Sequence, residues 1–295
     1  MTASNDVASW RALVTSGTEN IASHHRLKPA EVRKLIREGK LSVPTSGFSA
    51  GYMQGNLAIL PEAFATDFMR YCFRNPKSCP VLGIGEPGNP ALDSLGDIDI
   101  RTDIARYRVF RDGIADGEVA TLHDVWRDDL VAFVLGCSFS FESALLRAGI
   151  TVPHIAAGRN APMYVTNIPT RTAGPFGGPL VVSMRAFSPA DAIQAIVLSE
   201  RYPLAHGAPV HIGDPAEIGI ADIHRPDFGD TPVIGEGQIA VFWACGVTPQ
   251  MAIGVAKPDL AITHKPGYML VTDMLAENTY IVPHTASISV GEPQL

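Results

Sequence analysis

The chain of 295 residues is 46% hydrophobic and 18% charged, so it can bury a sizeable core and is long enough for two domains. Its 23 basic against 30 acidic side chains give a formal charge of −7, which disfavours phosphate backbones and anionic lipid, so neither nucleic acid nor membrane is expected as a partner. No apolar run of about 18 residues occurs, and residues 1–6 lack the charged-then-apolar order of a secretion signal; a soluble, cytoplasmic protein is expected.

Helical spacing of apolar residues predicts a lead-in of two helices, over Asn5 to Thr15 and Lys28 to Arg37, with Pro29 suited to a first turn. A Gly-rich stretch over 46–57 follows. Pro61 then opens a helix to about Arg74 carrying Phe64, Phe68 and Tyr71 on one stripe, ended by Pro76 and Pro80. Val81 to Ile84 reads as a short strand, and Arg106 to Phe110 as a strand running into an Asp112-Gly113 turn. The run Gly83-Ile84-Gly85-Glu86-Pro87-Gly88 matches a dinucleotide loop poorly, since Pro87 and the missing helix break the pattern.

The middle of the chain contains an echo. Leu130 to Leu135 is uninterruptedly apolar and is followed by Gly136-Cys137-Ser138 and a helical pattern to Arg147; Ile239 to Ala244, Cys245-Gly246-Val247-Thr248 and a helix over Gln250 to Val255 repeat the order. Continuous apolar strands followed by helices predict an α/β fold, a mostly parallel three-layer sheet with the two Cys turns on neighbouring strands. Helix N-termini at such turns can hold a carboxylate or a developing oxyanion. Between the echoes, Met163 to Asn167 and Pro179 to Arg185 read as strands joined by a Gly/Pro loop, then a helix capped by Ser188 with Pro189 runs to about Arg201. Val210 to Ile212 is the next strand. The division expected is a discontinuous α/β domain, 1–150 plus 232–295, and a smaller inserted α+β domain, 151–231, with the site in the cleft between them.

Leu204 to Pro215 sets His206, His211 and Asp214 among Gly and Pro, a density of titratable groups that suits proton transfer. Arg185, ending an apolar strand, has the planar fork that clamps carboxylates. Cys137, Ser138, Cys245, Gly246 and Thr248 offer turn amides, hydroxyls and thiols. Glu142, Tyr164, Asn167, Thr263, His264 and Asp273 are further polar residues in apolar surroundings, His264 at a strand end where α/β sites form. Cys72, Cys79, Cys137 and Cys245 are too few and too scattered for a disulfide framework or structural zinc and are read as free thiols.

The segments GFSAGYMQGNLAILP, NPKSCP, GCSFSFESALLRAGI, MYVTN, GPLVVSMR, HGAPVHIGDP, FWACGVTPQ and ITHKPGYMLVTD together resemble the D-glutamate cyclase family, whose bacterial members carry hydro-lyase names. The resemblance covers nearly the whole chain. It implies a lyase that eliminates water, in amino-acid metabolism, with cyclisation of D-glutamate to 5-oxo-D-proline as the activity of the eukaryotic relatives.

Forming that lactam needs a base, an acid, an oxyanion site and an anchor for the α-carboxylate. His206 and His211 fit the first two roles with Asp214 as orienter or acid, and Cys137, Glu142 and His264 are the further catalytic candidates. Arg185, Tyr164, Asn167, Ser138, Cys245, Gly246 and Thr248 are the substrate-binding candidates. The expected partner is a small acidic molecule; self-association into a homo-oligomer is left open. No cofactor is called for. A divalent cation held by His206, His211, Asp214, Asp222, Asp227 or Asp230 is the runner-up mechanism, although no standard ligand spacing is met. The competing class of function is a non-catalytic module that binds an acidic metabolite, which needs Arg and backbone donors but not two His and an Asp together.

Overall fold

The computed structural model describes residues 25–279, so the helix expected over Asn5 to Thr15 lies outside the described residues. Two antiparallel sheets and six helices organise the described residues. Helix α1 (Pro29–Arg37) begins with proline as expected and buries Val32, Arg33 and Ile36. Strand β1 (Tyr52–Pro61) is the longest in the fold, and it runs through the Gly-rich stretch that carried no strand signal. Helix α2 (Glu62–Arg74) buries Phe68 and Tyr71. After it come β2 (Val81–Ile84), β3 (Tyr107–Arg111), β4 (Ile114–Val119), β5 (Leu130–Gly136) and α3 (Phe139–Arg147). Asp112 and Gly113 both have positive φ in the turn between β3 and β4, the backbone that an Asp-Gly hairpin demands.

Short helix α4 (Pro153–Ala156) leads to β6 (Met163–Pro169), β7 (Pro179–Phe187) and α5 (Pro189–Glu200), where the Ser188 side chain accepts the Asp191 N–H. Two-residue β8 (His211–Ile212), β9 (Ile239–Ala244), α6 (Thr248–Ala256), β10 (Ala261–His264) and β11 (Leu270–Leu275) complete the order.

The seven-stranded sheet runs β2-β5-β1-β10-β3-β4, with β11 also on β1. Its six strand pairs are all antiparallel. The four-stranded sheet, β6-β7-β9-β8, is antiparallel as well. The expected mostly parallel three-layer sheet is therefore corrected. The pattern misled because β5 is apolar throughout, which is the mark of burial on both faces rather than of strand direction. Ala132 and Val134 pack on one side with Leu92, Leu95, Ile100 and Ile104, and Val131, Phe133 and Leu135 on the other with Phe68, Tyr71 and Ile253. Loop residues cover the first face, and α2 with α6 covers the second. The echo is likewise corrected: β5 and β9 lie in different sheets rather than side by side in one.

One edge of β1 is shared. Tyr52, Gln54 and Gly55 pair with β11, whereas Ala58 and Ile59 pair with β10, which leaves a fork at Asn56 and Leu57. His264, the last residue of β10, closes it by accepting the Leu57 N–H at Nδ1, 3.0 Å away.

Candidate active site

The ends of β5 and β9 carry the two Cys turns, and although they leave different sheets they converge. Gly136 is wedged between neighbours, because a Cβ there would stand 1.6 Å from the Leu204 carbonyl oxygen. Asn56 Nδ2 donates to the Gly136 carbonyl at 2.7 Å, and a Cβ on Gly246 would stand 1.9 Å from the same Nδ2. Only glycine admits this approach of β1, β5 and the β9 turn. Thr248 Oγ1 ties the second turn down by donating to the Cys245 carbonyl at 2.7 Å and accepting the Val181 N–H at 3.0 Å.

Both thiols sit at the starts of helices. Burial pushes the Cys245 thiol up to about 11 and the Cys137 thiol higher, although the Phe139 and Val247 amides act the other way. At neutral pH they are thiols, which are poor nucleophiles.

Beside the turns lies a buried polar network. Glu142 Oε1 accepts Arg185 Nε at 3.0 Å and Nη2 at 2.5 Å, and lies 3.1 Å from His154 Nε2; Oε2 accepts Ser46 Oγ at 3.1 Å. Arg185 also donates to Ser183 Oγ and Ser138 Oγ, and its guanidinium lies 5.4 Å from the ring centres of both Phe141 and Trp243. Burial alone would raise the Glu142 carboxyl, yet His154 and Arg185 outweigh it and hold the group down at about 2. The Arg185 fork, expected to clamp a substrate carboxylate, is thus filled by a resident one. Two small pockets, each with about 10 Å³ of room, space for one water molecule, flank the network. One is lined by His154, Arg159, Asn160 and Arg185, and the other by Glu142, Gly47 and Tyr52.

The HGAPVHIGDP segment divides. His206, in left-handed conformation at φ 77°, is 1% exposed and donates from Nδ1 to the Lys77 carbonyl at 2.6 Å. His211 instead pairs with Phe242 at the edge of the second sheet and sets its ring, tilted by 38°, 5.6 Å from that side chain, on the face that also carries Tyr164, Val182 and Met184. Arg185 alternates with Met184 and so faces the other way, toward α3. The second sheet therefore stands between His211 and Arg185. His211 Nε2 donates to the Asp214 carbonyl at 2.7 Å, while the Asp214 carboxylate caps Ala216 N. Tyr164 hydroxyl donates to Ile223 O, and Asn167 packs on Gly219.

Thus Cys137, Ser138, Glu142, Arg185, Cys245, Gly246, Thr248, His206 and His264 border the sheet junction. His211, Asp214, Tyr164 and Asn167 do not. Thr263 Oγ1 donates to the His264 carbonyl, and Asp273 pairs with Arg33 at 2.9 Å. The carboxylates considered for a cation are spent on amides: Asp222 on His224 N, Asp227 on Val165 N and Asp230 on Asn160 N. Among the described residues no group of three or more His, Cys, Asp or Glu assembles in metal-binding geometry. Ser46, Asn56, His154, Ser183 and Gln250 were not singled out in the sequence. His154 follows Glu142 by twelve positions across a turn, and nothing local marks it.

An antiparallel two-sheet chain with a buried charged network at the junction defines the class structurally, and sequence comparison supplies the family. Residues 131–273 match the D-glutamate cyclase profile. A Bordetella petrii protein named "Putative hydro-lyase" is 61% identical over 244 residues, spanning 82% of this chain and 92% of that protein. A protein of the same name from Verminephrobacter eiseniae is 60% identical over 246 residues, 83% of this chain and 90% of its own. The chain belongs to the D-glutamate cyclase family. Among solved structures, a nitrogen repressor-like protein from Methanococcus jannaschii aligns at 10% identity with a TM-score of 0.35, over 83% of this chain and 98% of that one.

Proposed function

We propose that the chain is a lyase that removes water from a small acidic substrate at the junction of the two sheets, and that ring closure of D-glutamate to 5-oxo-D-proline is its reaction. The observation that carries this reading is the convergence of the Cys137 and Cys245 turns, each opening a helix, beside buried imidazoles and a polar network. Helix N-termini stabilise a carboxylate or the charge that gathers on its oxygen when it is attacked. The buried imidazoles, held down at about 4, are neutral near pH 7 and serve as hydrogen-bonding groups. The Glu142 and Arg185 pair acts as scaffold, holding α3 against β7 so that Ser138 and Cys137 keep their places.

The names of the relatives and the family both point to water loss. Incubation of the purified chain with D-glutamate, L-glutamate and small hydroxy acids, followed by mass spectrometry, tests the reading. Loss of one water from D-glutamate is the expected result. Saturable binding of these acids with no turnover would favour the non-catalytic alternative.

A further inference from the structure

His154 and Asn160 line one pocket, and the chain itself draws them together. Helix α4 ends in a turn through Gly158, at φ 61°, and the Arg159 N–H returns to the His154 carbonyl at 2.8 Å. The Asn160 amide is then seated against the turn between β10 and β11. A Cβ on Gly267 would stand 2.4 Å from Asn160 Nδ2, which donates to the Pro266 carbonyl at 3.2 Å. That carbonyl can only accept, so the amide nitrogen must face it and Oδ1 must face away. Oδ1 is buried with no hydrogen-bond partner in the protein. A buried acceptor in that position calls for a donor.

The His154 ring is fixed from its other nitrogen. Nε2 lies 3.1 Å from Glu142 Oε1 and 3.3 Å from Ser46 Oγ. Glu142, held down at about 2, is a carboxylate and can only accept, and a bare Nε2 would set one lone pair against another. The Ser46 hydroxyl spends its single hydrogen on Glu142 Oε2, so toward the ring it accepts. Nε2 therefore carries a hydrogen. In the neutral ring Nδ1 is then a lone pair, and no side chain or backbone group among the described residues hydrogen-bonds to it.

Asn160 and His154 thus each bring an unused acceptor to a space of about 10 Å³, beside the guanidiniums of Arg159 and Arg185. A halide of that size has no hydrogen to give to either acceptor. An ammonium ion would lie against two positive charges. Water meets every demand, with two hydrogens for the two acceptors and lone pairs for a guanidinium N–H. We infer that this pocket is a specific seat for one water molecule, which donates one hydrogen to Asn160 Oδ1 and the other to His154 Nδ1. The water ties the Glu142, Arg185 and Ser46 network to the turn at Pro266. Held on an imidazole that a carboxylate backs from the far side, it is also placed to exchange a proton with the ring. The seat follows from the local geometry and is independent of the lyase reading.

A crystal structure of the full chain, grown without ammonium salts and at a resolution that orders water, tests the seat directly. One water at about 2.7–3.2 Å from both Asn160 Oδ1 and His154 Nδ1 is the expected result. A dry pocket, or a water that reaches only one of the two atoms, would overturn the inference. ¹⁵N-histidine NMR of the wild-type protein above the titration of His154 reads the ring, with His154→Gln assigning its signals. Hydrogen on Nε2 and a hydrogen-bonded, bare Nδ1 are expected, whereas hydrogen on Nδ1 would overturn the assignment. Asn160→Leu removes the second acceptor and fills the space with methyl groups, so the water should vanish and the Nδ1 signal should move. An unchanged Nδ1 signal in a folded Asn160→Leu protein would count against the seat, and if that variant does not fold, the wild-type crystal and spectrum still decide. None of these readouts uses turnover, so failure of the lyase reading and failure of the seat are told apart.

Discussion

Glu142 and Arg185 join the two sheets through a buried ion pair: the carboxylate comes from the helix that follows β5, the guanidinium from β7, and each residue is 1% exposed. A buried pair of this kind adds little net stability against an apolar replacement, but loss of one partner strands the other. Glu142→Gln should therefore lower unfolding free energy by about 3–5 kcal/mol, and Arg185→Met by a similar amount. Combining the two should cost less than their sum, because the double variant strands neither charge. Urea unfolding of all four proteins checks this.

Acid should loosen the fold in two stages. His206 and His264 sit at about 4 when folded, against about 6.5 in an unfolded chain, so the unfolded state takes up protons first and stability declines as pH falls through that window. Glu142, at about 2 when folded against about 4.3 when unfolded, adds a further decline from about pH 4.3 downward. Melting midpoints from pH 8 to 3 should fall accordingly. Glu142→Gln should flatten the lower stage, and a midpoint independent of pH below 6.5 would contradict the assignment.

Gly136→Ala should be among the most damaging small substitutions in the chain. The added carbon would meet a backbone oxygen at 1.6 Å, and backbone cannot rotate aside as a side chain can. Gly246→Ala meets the Asn56 amide instead, so replacing Asn56 with alanine in the same chain should recover part of the loss. Overpacking typically costs about 1–3 kcal/mol, and Gly136→Ala should lie at or beyond the upper end in thermal unfolding.

His211→Asn should leave turnover within a few-fold of wild type, in contrast to His206→Asn. The second sheet separates His211 from Arg185, and its Nε2 is engaged locally by the Asp214 carbonyl. Steady-state rates with D-glutamate distinguish the two positions.

Local structure was legible where local chemistry decides it. Ser188-Pro189 announced a helix start, Asp112-Gly113 announced a hairpin, and the apolar runs of β5 and β9 announced strands. Strand direction was not legible, since a strand covered on both faces reads the same whichever way its neighbour runs. Strand β1 was hidden because Gln54 and Asn56 interrupt its apolar pattern. Their amides are satisfied by partners remote from the strand itself, Thr45 and Phe48 for one and Gly136 for the other. His206 and His211 looked like one constellation because they are five residues apart. Pleating and a left-handed residue send them to opposite sides of a sheet. Conversely, Glu142 and His154 meet only because a turn folds one helix back on the other, and no spacing rule reports that.

The shared edge of β1 also orders events during synthesis. One side of this strand pairs with β5, about eighty residues later, but the other waits for β10 and β11, more than two hundred residues downstream. Until the ribosome has delivered residues 261–275, a ten-residue strand in the middle of the future sheet presents an open row of amides and carbonyls. Such an edge invites pairing with another chain. A polypeptide ending before Ala261 should therefore aggregate more readily than the full chain, with β10 and β11 acting as the closing cap of this edge.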